Sequence, residues 1–366
     1  MKLLKTIPML LFIAINLFTI MAMIFCVYTS TLPPQDHPQV SYFGLMFPVF
    51  AAVNAFFILF WLIFKWKFTL LPVIGLLTCA ESIRAYIPFN ITSDPPAGSI
   101  KVLSYNVMSF GENKGATWEE NAILNYIRKS QADIVCLQEA THGEVEKALA
   151  TLSNEYPYVS IEKNPNSHLA CLSKFPIDSV QQIYYPSDNN FSYAYRLLLD
   201  DDTLLLINNH LESYRLSPED KEDYKSIIKN YKHPEQNQSE TKYLSLVEKI
   251  SMHDSLRGEQ ADSVATFLAR NKGKSIILCG DLNSSPISYT HHRLTEYLND
   301  AYTRSGNGPG TSYNRSGMYF RLDHMMVSPE ITAYGAKVDK SIKESDHYPI
   351  FCFVKLNKNS RISADK

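Results

Sequence analysis

Eight polar residues lie at the ends of short apolar runs in the second part of the chain, where strands of a sheet would end. Asn106 follows the run 100–105, and Glu139 with its neighbour follows the run 134–137. The other six are His210, Asp281, Asn283, Asp323, Asp346 and His347. Carboxylates, amides and imidazoles that converge at one edge of a sheet could hold a hard cation and orient a water molecule or a phosphate.

Taken singly, most of these residues have an ordinary structural interpretation. Asn106 could end a strand in a turn, Glu139 could begin a helix, and Asn283 could be a helix N-cap. The segment 345–349, Ser-Asp-His-Tyr-Pro, is harder to explain in this way. It places an acid, an imidazole and a rigid proline just before an apolar run, which would aim the side chains at one point.

The residue types favour Mg²⁺, with Mn²⁺ as the alternative, because hard cations prefer oxygen ligands and retain waters that a phosphate can replace. Zinc fits less well, since the two histidines are far apart in the sequence and no His-Glu-x-x-His or Cys-x-x-Cys pair is present. A serine hydrolase is not supported, because the chain contains no Gly-x-Ser-x-Gly motif.

Charge is distributed unevenly along the chain. The first 94 residues contain five of the 35 Lys and Arg residues and three of the 37 Asp and Glu residues, so the remainder carries a net charge of −4. This balance counts against a high-affinity, non-specific DNA binder, although it does not exclude a nuclease with a small local footprint. The six cysteines lie in apolar runs and are expected to be free core residues.

The N-terminal region predicts a membrane anchor. Residues 7–28 and 42–64 are uncharged and long enough to cross a bilayer as helices. A cleaved signal peptide is the alternative for the first, but its apolar run is too long and a second span follows it. The shorter run 68–80 could cross if its helix extends to about residue 87, or it could lie on the membrane surface.

The basic residues of the anchor predict its orientation. Lys2 and Lys5 precede the first span, Lys65 and Lys67 follow the second, and the loop 29–41 between them has no Lys or Arg. Both basic ends are therefore expected in the cytoplasm. With three spans, which we favour, the rest of the protein lies outside the bacterial cytoplasmic membrane; with two, it faces the cytoplasm.

We expect an anchor over residues 1–90, a linker over 91–98, a folded domain over 99–357 and a tail over 358–366. In the domain, apolar runs predict strands over 100–105, 134–137, 204–208, 276–279, 325–327 and 350–354. Helices are predicted over 118–130 and 259–270, and the charged stretch 214–255 is interpreted as an insertion of loop and helix.

Seven segments match one family in residue type and order. They are 104–107 (Ser-Tyr-Asn-Val), 138–139 (Gln-Glu), 173–177 (Ser-Lys-Phe-Pro-Ile), 209–211 (Asn-His-Leu), 280–283 (Gly-Asp-Leu-Asn), 321–324 (Arg-Leu-Asp-His) and 345–349. Residues 99–357 thus resemble the endonuclease/exonuclease/phosphatase (DNase I-like) superfamily, whose members include abasic-site nucleases, inositol polyphosphate phosphatases and bacterial sphingomyelinases. The resemblance implies a four-layer α/β sandwich, two sheets packed face to face with helices outside, here behind a transmembrane helical anchor.

The resemblance also implies a role for each polar residue at the metal. Glu139 would be the main Mg²⁺ ligand, and Asn106 and Asp346 would lie near the ion or its waters. One position departs from some DNA-repair members, which carry a second acid where this chain has Met108. The departure weakens an assignment as an abasic-site nuclease.

The catalytic roles implied by the resemblance fall on five residues. Asp281 would orient or deprotonate the attacking water, and Asn283 would hold the phosphate. His347, oriented by Asp323, would stabilise charge on the phosphate, while His210 would contact the phosphate or protonate the leaving oxygen.

Arg257 and Gln260, which follow the insertion, are candidates for substrate contact, with a solvated helix start as the alternative. The expected function is hydrolysis of a phosphodiester or phosphomonoester, with nucleic acid as the first substrate and a phospholipid or inositol phosphate as the alternative. A membrane-bound scaffold on a degenerate domain is the interpretation from another class, and the retention of Glu139, Asp281 and His347 argues against it. Besides the substrate and the membrane, no obligate protein partner is expected.

Overall fold

The computed structural model describes residues 2–111, 117–141, 143–164, 166–200, 202–217, 219–220, 222–223, 236–315 and 319–357. The predicted tail, 358–366, and part of the predicted insertion lie outside the described residues.

The N-terminal region is helical. Helix α1 (Lys2–Thr29) and helix α2 (Phe47–Phe64) are joined by residues 30–46, called here the connecting segment, which ends in a 3₁₀ helix (Pro38–Met46). The stretches Met9–Thr29 and Pro38–Phe64 are each long and apolar enough to cross a membrane.

A third, shorter helical stretch follows. A 3₁₀ turn (Trp66–Thr69) leads into α3 (Leu70–Thr78), and α4 (Ala80–Tyr86) continues after a bend of 65°. The two parts together pass the same test of length and composition only if they are taken as one broken span.

Buried amides join the first two helices. The Asn16 side-chain nitrogen donates to the Asn54 side-chain oxygen over 3.0 Å, and the Trp61 indole nitrogen donates to the Asn16 oxygen over 3.0 Å. Polar side chains in an apolar bundle pair with one another because lipid provides no other partner. The contact fixes α1 against α2.

Within the described ranges, twelve strands form two sheets. They are β1 (Ile100–Asn106), β2 (Ile134–Gln138), β3 (Tyr158–Lys163), β4 (His168–Ser173), β5 (Ile177–Ile183), β6 (Phe191–Leu199), β7 (Asp202–His210), β8 (Ile276–Asp281), β9 (Asn299–Asp300), β10 (Asp323–Val327), β11 (Ile331–Val338) and β12 (Ile350–Leu356). The first sheet has the order β11-β12-β1-β2-β4-β3, and the second has the order β5-β6-β7-β8-β10-β9. Each of the six predicted strands coincides with a central strand.

Helices cover the outer faces of both sheets. They are α5 (Ala122–Ser130), α6 (Val145–Ala150), α7 (Gln236–Arg270) and α8 (Tyr289–Thr295). Helix α9 (Ala301–Ser305) instead packs into the core between the sheets through Ala301. In β1, Val102 packs between the sheets while Leu103 packs against α5, as the two-residue period of a strand requires. Helices α7 and α8 pack on the second sheet in the same way. The predicted four-layer α/β sandwich is confirmed.

Helix α7 is longer than the sequence pattern predicts. It begins at Gln236 and runs to Arg270 without a break, so the predicted helix over 259–270 is only its last third. The apolar periodicity is weak before residue 259, and the helix contacts the connecting segment as well as the sheet, at Ser255, Gly258 and Asp262. Asn121, by contrast, caps α5 through its side-chain oxygen and divides the predicted helix over 118–130.

The connecting segment docks on the α/β domain (residues 99–357). The Gln35 side chain donates to Asp262 of α7 over 3.1 Å, and the Ser255 hydroxyl donates to the Pro34 carbonyl over 2.9 Å. Gly44 packs so closely that an added Cβ atom would overlap the carbonyl oxygen of Ile287. The anchor and the α/β domain are therefore in direct contact at this segment.

Candidate active site

The register of the central strands brings the predicted site residues together. Strands β1 and β2 are parallel with Asn106 opposite Gln138, so Glu139 follows at the same edge. Strands β7 and β8 are also parallel, with His210 opposite Asp281, and the antiparallel β10 places Asp323 opposite Asp281. Both sheets thus end in polar side chains at one end of the sandwich.

Asn106 connects the two sheets at this end. Its side-chain nitrogen donates to Glu139 Oε1 over 3.0 Å and to Asp281 Oδ2 over 3.2 Å. Its oxygen accepts from the Met108 backbone nitrogen over 3.2 Å. The amide holds two carboxylates from different sheets close together, which lowers their mutual repulsion.

His347 forms an imidazole–carboxylate pair. Its Nδ1 lies 2.7 Å from Asp323 Oδ2, and its Nε2 lies 3.6 Å from Asp281 Oδ2. Burial lowers the pKa of His347, but the carboxylates of Asp323 and Asp281 outweigh burial and hold that pKa well above its usual value. The raised pKa favours the imidazolium form, in which Nδ1 donates to Asp323 while Nε2 lies beside Asp281.

Asp281 is almost fully buried, and burial raises its pKa to about 6, against the opposing effect of nearby His347. Its other oxygen, Oδ1, accepts from the Asn283 backbone nitrogen over 2.8 Å. Gly280, just before it, has a φ of 134°, and an added Cβ would overlap the Asn209 carbonyl. Only glycine lets β8 approach β7 this closely before the acid.

The remaining predicted residues occupy different positions. His210 is buried, with Nε2 3.5 Å from Glu139 Oε1. The Asn283 side-chain nitrogen donates to the Leu211 carbonyl over 2.9 Å, so a phosphate would have to compete with that bond.

Arg257 lies behind the site. Its guanidinium is fully buried, donates to the Glu212 carbonyl and to Asp254, and stacks on Tyr214 at 4.3 Å. Gln260 likewise accepts from the Glu212 backbone nitrogen over 2.8 Å. Both residues contact the segment 212–216, because α7 turns their side chains inward. Their predicted contact with substrate stays a prediction.

A pocket of about 240 Å³ opens over the site. Its lining carboxylate, amide and imidazole side chains, called here the polar floor, are Glu139, Asp281, Asn283, Asp346 and His347. Its lining Leu, Ile and Phe side chains, called here the apolar wall, are Leu45, Leu216, Leu246, Ile250, Phe320 and Leu322. The first of these wall residues belongs to the connecting segment, so the anchor forms part of the pocket.

The polar floor fits a hard cation. The Glu139 side chain is 39% exposed and turns a carboxylate toward the pocket, near Asp346 and the Asn106 amide. Asp281, Asp323 and His347 also lie within 4.8 Å of one another through their ligand atoms. Since the short contact to Asp323 already uses His347 Nδ1, the oxygen side chains at the pocket fit a cation better than this buried trio does.

Comparison with known protein families identifies the family of this chain. The sequence model of the endonuclease/exonuclease/phosphatase family matches residues 103–347, about two thirds of the chain. The chain belongs to this family. A domain of unknown function (DUF8431) matches residues 9–86, and a search of curated proteins finds no match.

Solved structures of the family share the fold at low sequence identity. A D. rerio TDP2 structure complexed with a single-strand DNA product has a TM-score of 0.52 and 14% identity, covering 70% of this chain and 99% of that one. TDP2 from Caenorhabditis elegans has a TM-score of 0.51 and 18% identity, covering 83% and 90%. A Beutenbergia cavernae endonuclease/exonuclease/phosphatase has a TM-score of 0.51 and 15% identity, covering 71% and 72%.

Sequence reasoning missed three contributors to the site. Ser345 donates its hydroxyl to the Asn106 carbonyl over 2.7 Å and accepts from the His347 backbone nitrogen over 3.2 Å, which fixes the loop before β12. Tyr313 packs its ring 5.1 Å from that of His347. Ser345 could have been found as the first residue of the segment 345–349, whereas Leu45 carries no signal in the sequence.

Proposed function

We propose that the chain hydrolyses a phosphoester bond with the help of a divalent cation, Mg²⁺ first and Mn²⁺ second. The observation that carries the proposal is the approach of His347 Nε2 to within 3.6 Å of Asp281 Oδ2 in a pocket that also contains Glu139. Phosphoryl transfer to water needs a group that accepts a proton and groups that neutralise charge on the phosphate. In this proposal Asp281 accepts the proton, and His347 and a cation at Glu139 neutralise the charge.

In the proposed reaction, Asp281 orients a water molecule and accepts its proton as the water oxygen bonds to phosphorus. The imidazolium of His347, held by Asp323, donates from Nε2 to a phosphoryl oxygen. The bond from phosphorus to the leaving oxygen breaks, and His210 protonates that oxygen or contacts the phosphate. Glu139, Asn106 and Asp346 would hold the cation, which would supply further neutralisation of the phosphoryl charge.

We also propose that the α/β domain lies outside the bacterial cytoplasmic membrane. The connecting segment, between α1 and α2, contacts this domain, while Lys65 and Lys67 follow α2 at its far end, about 27 Å away for 18 helical residues. Arg321 of the domain donates to the Ala85 carbonyl at the end of α4, so the chain returns to the domain side after residue 67. Basic residues at the opposite end favour the cytoplasm for that end.

The test of activity uses the full chain in detergent with bis(4-nitrophenyl) phosphate, 4-nitrophenyl phosphate and single-stranded DNA, in Mg²⁺, Mn²⁺ or EDTA. DNA is included because of the product described for D. rerio TDP2. Glu139→Gln and His347→Ala are each expected to lower kcat by about 100-fold or more. Glu259→Gln, an exposed position on α7, is the matched control.

Activity that depends on the cation and on both residues supports the enzyme. If the unmutated protein hydrolyses none of these phosphoesters in any cation, the scaffold interpretation replaces it.

A further inference from the structure

The pocket combines two unlike surfaces. The polar floor carries the phosphoester chemistry, whereas the apolar wall has six side chains of Leu, Ile and Phe. Among the described residues that line the pocket, Arg215 is the only Lys or Arg, and it is 2.8 Å from Glu212. A groove for nucleic acid combines several cations along the phosphates with aromatic rings for the bases. The aromatic residues Tyr214, Tyr313 and Phe320 also line this pocket, but its described lining has one such cation, and that cation is paired with an acid. The pocket instead suits a phosphate attached to an apolar body.

The apolar wall begins at the membrane. Leu45 lies inside the stretch Pro38–Phe64 that is long and apolar enough to span a bilayer, two residues before α2 begins. On α7, Leu244 and Met252 are 57% and 55% exposed, although they flank the wall residues Leu246 and Ile250. Exposed apolar side chains beside a spanning helix are expected to meet the interface of the bilayer.

The position of Leu45 is fixed by close packing. Its neighbour Gly44 has no room for a side chain against Ile287, and Gly258 of α7 has none against Pro34. The hydrogen bond from Gln35 to Asp262 adds a polar contact at the same junction. The connecting segment therefore presents Leu45 to the pocket as part of a rigid surface.

Resting on the proposed function, we infer that the substrate is a phosphodiester of a membrane lipid, which enters from the leaflet beside the connecting segment, and that the anchor forms part of its binding site. The lipid keeps its phosphate over the polar floor and its apolar part along the wall toward Leu45. A site at the interface avoids the cost of drawing the acyl chains into water, a cost that grows with each CH₂ group. Hydrolysis consumes one water and separates the headgroup alcohol or the lipid alcohol from the phosphate.

The test compares lipid with a soluble diester. The full chain is reconstituted in phosphatidylcholine vesicles that contain 20 mol% sphingomyelin, phosphatidylinositol or phosphatidylethanolamine, and phosphate-containing products are measured with Mg²⁺ present. Bis(4-nitrophenyl) phosphate and single-stranded DNA are assayed in the same vesicles. The readout is the ratio of kcat/KM for lipid to kcat/KM for bis(4-nitrophenyl) phosphate.

At least one lipid should be hydrolysed, and Leu45→Ala and Ile250→Ala should each lower the ratio by at least fivefold. Leu59→Ala is the matched control, because Leu59 lies on α2 and is 61% exposed on the side expected to face lipid. This variant should leave the ratio within twofold of that of the unmutated protein. Hydrolysis of DNA or the soluble diester but of no lipid overturns the inference and leaves the proposed function intact. A ratio that Leu45→Ala does not change overturns the role of the anchor. If none of the lipids, the DNA and the soluble diester is hydrolysed, the proposed function itself fails.

Discussion

Asp323 Oδ2 lies 2.7 Å from His347 Nδ1. Asp323, at the start of β10, is also paired in register with Asp281 at the end of the neighbouring strand β8. The carboxylate of Asp323 thus fixes the ring and favours its charged form, while the other ring nitrogen stays beside the proposed base. This arrangement predicts that Asp323 acts through the imidazole rather than on the substrate.

Asp323→Asn is expected to lower kcat by about 100-fold with a smaller change in KM, because the neutral amide no longer stabilises an imidazolium. The pH profile distinguishes this role from a structural one. Loss of the carboxylate should lower the pKa of His347, so the remaining activity should fall at a lower pH on the alkaline side than in the unmutated protein.

Asp178→Asn, at an exposed carboxylate that pairs with Arg196 in β6, is the control for the charge change. A variant Asp323→Asn with an unchanged profile and full kcat would contradict the assigned orientation of the imidazole.

The close packing of Gly44 against Ile287 predicts that a larger residue at position 44 detaches the connecting segment from the α/β domain. A side chain at this position would overlap the Ile287 carbonyl, so Gly44→Val should displace the connecting segment. A crosslink made by a short bis-maleimide between Gln35→Cys and Asp262→Cys, whose native side chains are hydrogen-bonded over 3.1 Å, reports the docking. Its yield should fall several-fold in Gly44→Val.

Gly143→Val is the matched control, because an added Cβ meets nothing within 4 Å there and the crosslink should form as in the parent. Equal yields in both variants would mean that the segment adapts without leaving the domain.

The central strands and their terminal polar residues could be predicted because parallel strands buried on both faces are continuous apolar runs in the sequence. Strand β8, with all of its residues buried, is one example, and the site lies where such strands end. Strand β5 was not predicted because it lies at an edge and most of its residues are exposed, which leaves no apolar pattern to detect.

Leu45 and Arg257 could not be placed from the sequence for a different reason. Their positions depend on contacts between distant parts of the chain: the connecting segment with residue 287, and α7 with the loop after β7. An apolar residue near a spanning helix and an arginine on an amphipathic helix are common, and only tertiary packing makes one line the pocket and buries the other.

Asp300 predicts a dependence of stability on pH outside the active site. Burial alone would raise its pKa, but the hydrogen bond with His291, 2.8 Å between Nε2 and Oδ2, and the nearby Arg321 outweigh burial and hold that pKa well below its usual value. A carboxyl whose pKa is lower in the folded protein stabilises it above the unfolded pKa, about 4. This contribution is lost as pH falls toward the folded value.

Asp300→Asn should therefore lower Tm at pH 7 and make Tm less sensitive to acid between pH 5 and pH 3 than in the unmutated protein. Thermal unfolding of the full chain in detergent at several pH values measures both effects, with Asp178→Asn as the control for the exposed charge. Parallel curves for the two proteins over the acid range would show that Asp300 has an ordinary pKa.

Orientation in the membrane is predicted from the two contacts that the α/β domain makes with the anchor, at the connecting segment and at Ala85. Because both contacts lie on one side, the ends that carry Lys2, Lys5, Lys65 and Lys67 lie on the other, which the positive-inside rule assigns to the cytoplasm. Trypsin added to intact spheroplasts should then remove a C-terminal tag and leave an N-terminal tag protected. Lysed spheroplasts provide the control in which both tags are removed. Protection of the C-terminal tag until lysis would reverse the orientation and place the site, with any lipid it uses, on the cytoplasmic leaflet.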